Sequence, residues 1–245
     1  MASDVEFGLH LIEGDPNLTF IVFVGTVLLV VIAARFGAYA YMNVRESTSD
    51  QRVLWEYLFF VGVVTTLYGL VSVLEVVSSV RTRFKGGVML AAVLLLALAL
   101  REIYYNAALS TSGEGRTGQF RGRQGLELAF VGCVAVVIFG TALLGLTDAL
   151  LALQGVGALA FAGYGFWFGR RQTGETMVQG TMIDSLLRHL LPVMAFATLV
   201  PAVDLATVAG LPRVIVVHVQ VVFVIMTATA LMTATIKLRQ NLASL

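Results

Sequence analysis

The sequence predicts an all-α membrane protein, a seven-transmembrane-helix bundle formed as one domain over residues 1–245. Three observations predict it. The chain is 58% hydrophobic and 13% charged, with a mean hydropathy of +0.88, which leaves too few polar groups to cover a water-facing globule. Seven apolar segments each approach the roughly 20 residues that cross a hydrocarbon core of about 30 Å. Polar or glycine-rich breaks separate them, and the cations are unevenly divided between the two sets of breaks.

The first span is expected near 18–43. The stretch before it, MASDVEFGLHLIEGDPN, carries acids and no cationic run, so it does not read as a cleavable signal peptide. The second span is expected near 53–79 and the third near 86–108, the latter opened by Arg81, Arg83 and Lys85 and by the pair Gly86-Gly87. A polar loop, NAALSTSGEGRTGQFRGRQ, reads as mobile and leads to the fourth span near 126–146. The turn Thr147-Asp148 gives a fifth near 149–168, and a sixth follows near 181–208. The turn AGLP then leads to a seventh near 213–238. Only six residues follow Arg239, so any signalling is expected to pass through a separate protein. The single cysteine, Cys133, excludes a disulfide framework and a cysteine metal site, and the net charge of +1 gives no reason to expect nucleic acid.

Orientation follows from the cations. With the N-terminus outside, the inner side holds Arg45, Arg52, Arg116, Arg121, Arg123, Arg170, Arg171, Lys237 and Arg239, against Arg81, Arg83, Lys85 and Arg213 outside. The positive-inside rule therefore predicts a multi-pass cell-membrane protein with its C-terminus cytoplasmic.

The third span shows a resemblance. A light-driven proton pump of the microbial rhodopsins carries Arg-Tyr-x-Asp-Trp-x-x-Thr-Thr-Pro there, followed by leucines; this chain reads Arg83-Phe84-Lys85-Gly86-Gly87-Val88-Met89-Leu90-Ala91-Ala92 and then VLLLALAL. LELAFVGCVAVVIFGTALLGL is similar to that family's glycine-rich fourth helix, and FAGYGFWFG to the aromatic end of its fifth. The resemblance implies a rhodopsin-like bundle, but its photochemical positions are empty of the required residues. The retinal lysine falls near Ala230, the counterion carboxylate on Gly86, the neighbouring tryptophan on Gly87, the proton donor on Ala97 and the second counterion near Met226. The sixth-span tryptophan falls near Ala195 or Ala197, depending on whether Pro192 or Pro201 takes the family's proline role. Lys237, the only lysine of the seventh span, lies about 36 Å along it from Arg213. No covalent retinal is expected. What remains open is a carotenoid or lipid held without a bond, in or against the bundle.

Ionisable residues within spans are costly and mark function or pairing. Arg35 lies deepest and is expected to find acceptors inside the bundle, from the second or seventh span. Glu75 can reach Arg81 or Arg83; Arg101 and Glu102 can snorkel to headgroups; Asp184 and Arg188 stack at i, i+4. Asp204 and His218 flank a four-residue turn and form a candidate proton or pH-sensing pair. The candidate functional residues are thus Arg35, Glu75, Arg83, Asp204 and His218. His189 and His218 start antiparallel spans and fall toward opposite faces, which argues against haem. Thr227 to Thr235, TATALMTAT, is expected to pack helices closely and to bond across them. Asn17-Leu18-Thr19 fits the N-glycosylation pattern.

Two functional classes follow. One is an opsin-related binding, sensory or assembly component that pumps nothing, with membrane lipids, a separate signalling protein or a second copy as partners. The other is an ion or proton channel or small-solute transporter with Arg35, Asp204 and His218 on its path. A retinal pump or photosensor ranks behind both, and no acid/base or metal constellation suggests an enzyme.

Overall fold

The structure, a computed structural model, describes residues 6–47, 49–109, 120–173 and 182–243. They form eight α-helices after a short 3-10 turn at Ile12–Gly14: α1 (Pro16–Glu46), α2 (Ser49–Val77), α3 (Lys85–Leu109), α4 (Phe120–Leu144), α5 (Asp148–Thr173), α6 (Met182–Ala202), α7 (Asp204–Val208) and α8 (Arg213–Leu242). Seven spans among the described residues are long and apolar enough to cross a membrane, α7 continuing the span that α6 begins. This is the build of a multi-pass membrane protein.

Local chemistry sets the ends. Asp15 caps α1, its carboxylate accepting from Asn17 N at 2.8 Å and Leu18 N at 3.2 Å, and Pro16 supplies a first-turn residue that needs no donor. Gly145 (φ 81) and Gly210 (φ 93) make the α4–α5 and α7–α8 turns in a backbone region that side chains disfavour. The first, second, third, fifth and seventh spans match the predicted ones to within a few residues, and the fourth begins six residues earlier, at Phe120. The sixth differs in kind. It is interrupted at Val203, two residues past Pro201, although Val203 keeps a helical backbone (φ −65, ψ −20) and donates to Leu199 O at 3.1 Å, and the chain continues as the one-turn α7.

α3 is the central helix, touching α2, α4, α5 and α6, while α1 packs on α2 and α8, and α8 on α6. The span in α3 is 72% buried and that in α4 only 17%, so α3 is the axis and α4 an outer stave. The core along α3 is aliphatic: Leu90, Val93, Leu94, Ala97 and Leu100 are buried in one cluster with Met194, Val224, Ala228 and Leu231. Glycines set the closest approaches. Gly62 of α2 faces Gly37 of α1 so tightly that a Cβ on Gly62 would lie 2.5 Å from the Gly37 Cα.

The two ends of the bundle are fastened differently. Where α1 starts, residues 6–10 lie extended against the end of α2, with Gly8 N donating to Val77 O at 3.1 Å and Ser79 N to Glu6 O at 3.0 Å. At the other end Asn43 Nδ2 donates to Leu238 O at 3.5 Å, and Asn241 Nδ2 reaches Asn43 Oδ1 at 2.5 Å. The described chain therefore begins and finishes at opposite ends of the bundle.

Candidate functional site: a polar cleft at the N-terminal end

Asp204, first residue of α7, faces inward, and only 5% of it is exposed. A carboxylate at that depth is costly unless its lone pairs are filled, and three donors fill them. Gln154 of α5 donates to Oδ2 at 2.7 Å, and Arg213 and Gln220 of α8 each donate to Oδ1 at 2.8 Å. Gln220 Nε2 also donates to Val200 O at 3.1 Å, a carbonyl in the turn before the break. One carboxylate thus ties α5, α7 and α8 together.

Gly86 makes room for this. A Cβ there would overlap the Gln154 carboxamide, so the glycine that the resemblance set against a counterion carboxylate is the gap that seats a hydrogen-bonding neighbour of Asp204. Beside it Glu75 pairs with Lys85 Nζ and accepts from Thr82 N at 2.8 Å and Thr82 Oγ1 at 2.5 Å. The two networks border a cleft of about 50 Å³, lined among others by Tyr68, Arg83, Lys85, Gln154, Asp204 and Arg213. About 10–15 Å³ of such space suffices for one water, so the cleft takes a few waters or one small polar group. Arg213 and Lys85 keep about a third of their side chains exposed, at 35% and 36%, so the cleft opens at this end of the bundle. Arg83 sits in the turn just before α3, is exposed, and makes no ion pair among the described residues. Asp204 offsets Arg213 and Glu75 offsets Lys85, so the charge left over at the rim is the one cation Arg83.

A second network lies toward the opposite end. Arg101 of α3 pairs with Glu127 of α4 and lies 3.5 Å from Glu102, while Tyr164 of α5 donates to Glu127 Oε1 at 3.0 Å. Phe130, Phe161, Tyr164, Trp167 and Phe168 stack beside it, with ring centroids 4.7–5.5 Å apart, and the Arg171 guanidinium lies 3.9 Å above Trp167. About 22 Å of α3 separates Gly86 from Arg101, by helical rise. The side chains along that length are aliphatic and buried.

Several expectations are corrected. Arg35 is exposed on the outer face of α1 between Val31, Ala38 and Met42, because the inward positions of that turn are taken by Ile32, Ala33, Phe36 and Gly37, which the close α1–α2 contact requires. Asp204 takes Arg213 as its partner in place of His218, which is exposed on α8 and bonded through Nδ1 to Val214 O at 2.8 Å. Glu75 pairs with Lys85, the first residue of α3 and two residues past Arg83, and not with Arg81 or Arg83. Arg101 and Glu102 stay largely inside, at 14% and 18% side-chain exposure, because Glu127 offers Arg101 a nearer partner than the headgroups. The threonines of α8 bond along their own helix, as Thr227 does to Phe223 O and Thr235 to Leu231 O, both at 2.7 Å, so that run packs helices without bonding across them. The side chain of Asp184, of the Asp184–Arg188 pair, and the 110–119 loop with Arg116 lie outside what the structure describes.

Ala230 is buried and Met226 faces outward, so the two positions set against the retinal lysine and second counterion do not share one inward face. Lys237 is half-buried at the far end of α8, donating to Gln240 Oε1 at 3.1 Å. Sequence reasoning missed Gln154, Gln220 and Glu127. Two carried a signal, as a glutamine and a glutamate inside otherwise apolar spans, and Gln220 was masked by His218 two residues away. Comparison with protein-family models, with curated proteins and with solved structures finds no match for the chain.

Proposed function

We propose that the protein is an opsin-related, retinal-free membrane component that binds a ligand and pumps nothing, and that its binding site is the cleft beside Asp204, on the outer side of a cell membrane. The observation that carries this is the surplus cation over a filled carboxylate: among the described residues Arg83 makes no ion pair, beside Lys85 and Arg213, which do, over a cleft that takes one small polar group. The ligand class that answers it is an anion, either free in solution or as the headgroup of an amphiphile. A carotenoid ring exceeds the cleft and would have to lie against the outside of the bundle. The outward orientation rests on the nine cations assigned to the inner side against four. The channel or transporter reading has against it the buried aliphatic length of α3, the central helix, between the two polar networks.

The test is thermal unfolding of the purified protein in lipid nanodiscs, titrated with decanoate, acetate, decanol and decylammonium. Decanoate is expected to raise the midpoint, decanol and decylammonium to leave it, and Arg83→Gln to remove the response. A matching shift with acetate identifies a free anion as sufficient, and no shift with acetate assigns part of the affinity to the chain. Equal shifts with decanol, or no shift with any anion, would refute the reading.

A further inference from the structure

Residues 6–11 make an extended strap across the end of the bundle where α1 starts. Its backbone is tied to α2 through Gly8 N to Val77 O at 3.1 Å and His10 N to Val76 O at 2.9 Å, and Phe7 pairs with Ser78. Ile12 N donates to Thr19 Oγ1 at 2.8 Å, which fixes its far end to the first turn of α1. A strand projects alternate side chains to opposite sides. Here the odd positions are large and apolar, and none is covered: Phe7 is 80% exposed, Leu9 71% and Leu11 44%. On the even positions stand Glu6, Gly8 and His10, and the His10 Nε2 is buried.

What covers that row follows from where it lies. The residues it pairs with, 76–79, straddle Val77, where the second span ends. The strap therefore sits at the level where the apolar spans meet the headgroup layer. The nearest helix surfaces continue the apolar row. Phe20 (67% exposed) and Ile21 (41%) open α1, and Leu74 (37%) stands in the last turn of α2, all on surface that the hydrocarbon covers when these helices span a membrane. We infer that the strap is a membrane-contacting element, laying Phe7, Leu9 and Leu11 into the headgroup–acyl boundary of the leaflet around the N-terminal end of the bundle. The recognised partner is the lipid surface itself, through apolar contact at the level where amphipathic segments dock. The inference does not depend on the cleft or on which side of the membrane it faces.

Site-directed spin labelling tests it in the full chain. In a Cys133→Ser background, single substitutions Glu6→Cys, Phe7→Cys, Gly8→Cys and Leu9→Cys are labelled with a nitroxide, and the protein is reconstituted in phosphatidylcholine vesicles. Relaxation by oxygen, which concentrates in lipid, is compared with relaxation by a water-soluble nickel chelate. The expected pattern alternates: oxygen dominates at 7 and 9, the nickel chelate at 6 and 8. A nickel-dominated signal at 7 and 9 would place the row in water and overturn the inference. Protection of 7 and 9 from both agents would place it against protein, a second copy included, and overturn it equally. All four positions are exposed, and circular dichroism of each labelled variant checks that the helices are intact.

Discussion

At the scale of single residues, stability at the cleft depends on whether Asp204 keeps its three donors. Asp204→Asn leaves Arg213 facing a neutral amide and is expected to cost about 1.5–3 kcal/mol, since charged hydrogen bonds contribute in that range. The loss should stay below the roughly 3–5 kcal/mol of a broken, fully buried pair, because Arg213 retains access to solvent. Thermal unfolding in detergent checks it, and an unchanged midpoint would mean that the network is not formed. Gly86→Ala is expected to cost about 1–3 kcal/mol by overpacking. Most of that should vanish in a Gln154→Ala background, because the overlap is with the Gln154 carboxamide. Additive losses would show that the cost lies elsewhere. Arg35→Leu should preserve the folded protein, against the expectation for a buried cation, since Arg35 projects from the outer face of α1; a collapse in folded yield on expression would contradict the structure. The difference between Asp204 and Arg35 was not legible in the sequence. Both are lone charges in apolar runs, and which one faces inward depends on helix rotation, which the all-round apolar α1 does not encode.

At the scale of elements, existence and length were legible because the bilayer fixes both, and each predicted span corresponds to a helix or, for the sixth, to α6 and α7 in succession. The break at Val203 was half legible. Pro201 announces a lost hydrogen bond, but Pro192 in the same helix loses one too without an interruption, so the proline alone does not mark the place. Helix contacts through glycine give a sharper prediction. Gly62→Ala places a Cβ 2.5 Å from the Gly37 Cα, whereas Gly37→Ala places one 3.5 Å from the Gly62 Cα, an ordinary contact. The first should lower the unfolding midpoint in detergent clearly, by a cost of about 1–3 kcal/mol, and the second little. Equal effects would mean that α1 and α2 cross in another register. The glycines themselves were visible in the sequence; the asymmetry between them is a property of the crossing.

At the scale of the whole molecule, the absence of an amine near the middle of α8 leads to a chemical expectation. All-trans-retinal added to the purified protein, followed by borohydride and digestion, should leave no retinyl adduct on Lys85 or Lys237, the only two lysines, and light should drive no ion flux in vesicles. Lys85 is engaged with Glu75 and Lys237 stands at the far end of the last helix, so neither is placed to hold a chromophore along the bundle axis. An adduct on either would overturn this. The seven-span count was legible because hydropathy reports the solvent each segment needs. The site was only partly so: Glu75, Arg83 and Asp204 do border or adjoin one cleft, while His218 and Arg35 point away from it. Composition records how many polar groups the membrane must hide, and the pairing between them is decided by packing among helices far apart in the chain.

The buried aliphatic length of α3 between Gly86 and Arg101 has an electrical meaning. It is the low-dielectric layer of the protein, and a membrane voltage falls across such a layer and hardly at all across the polar ends. A charge that traversed the whole field would exchange about 2.3 kcal/mol per 100 mV. The ionic groups of the cleft lie at one boundary of this layer and those around Arg101 at the other, so small rearrangements within either group move almost no charge through the field. Whatever the cleft responds to, the resting potential of the membrane is a poor lever on it.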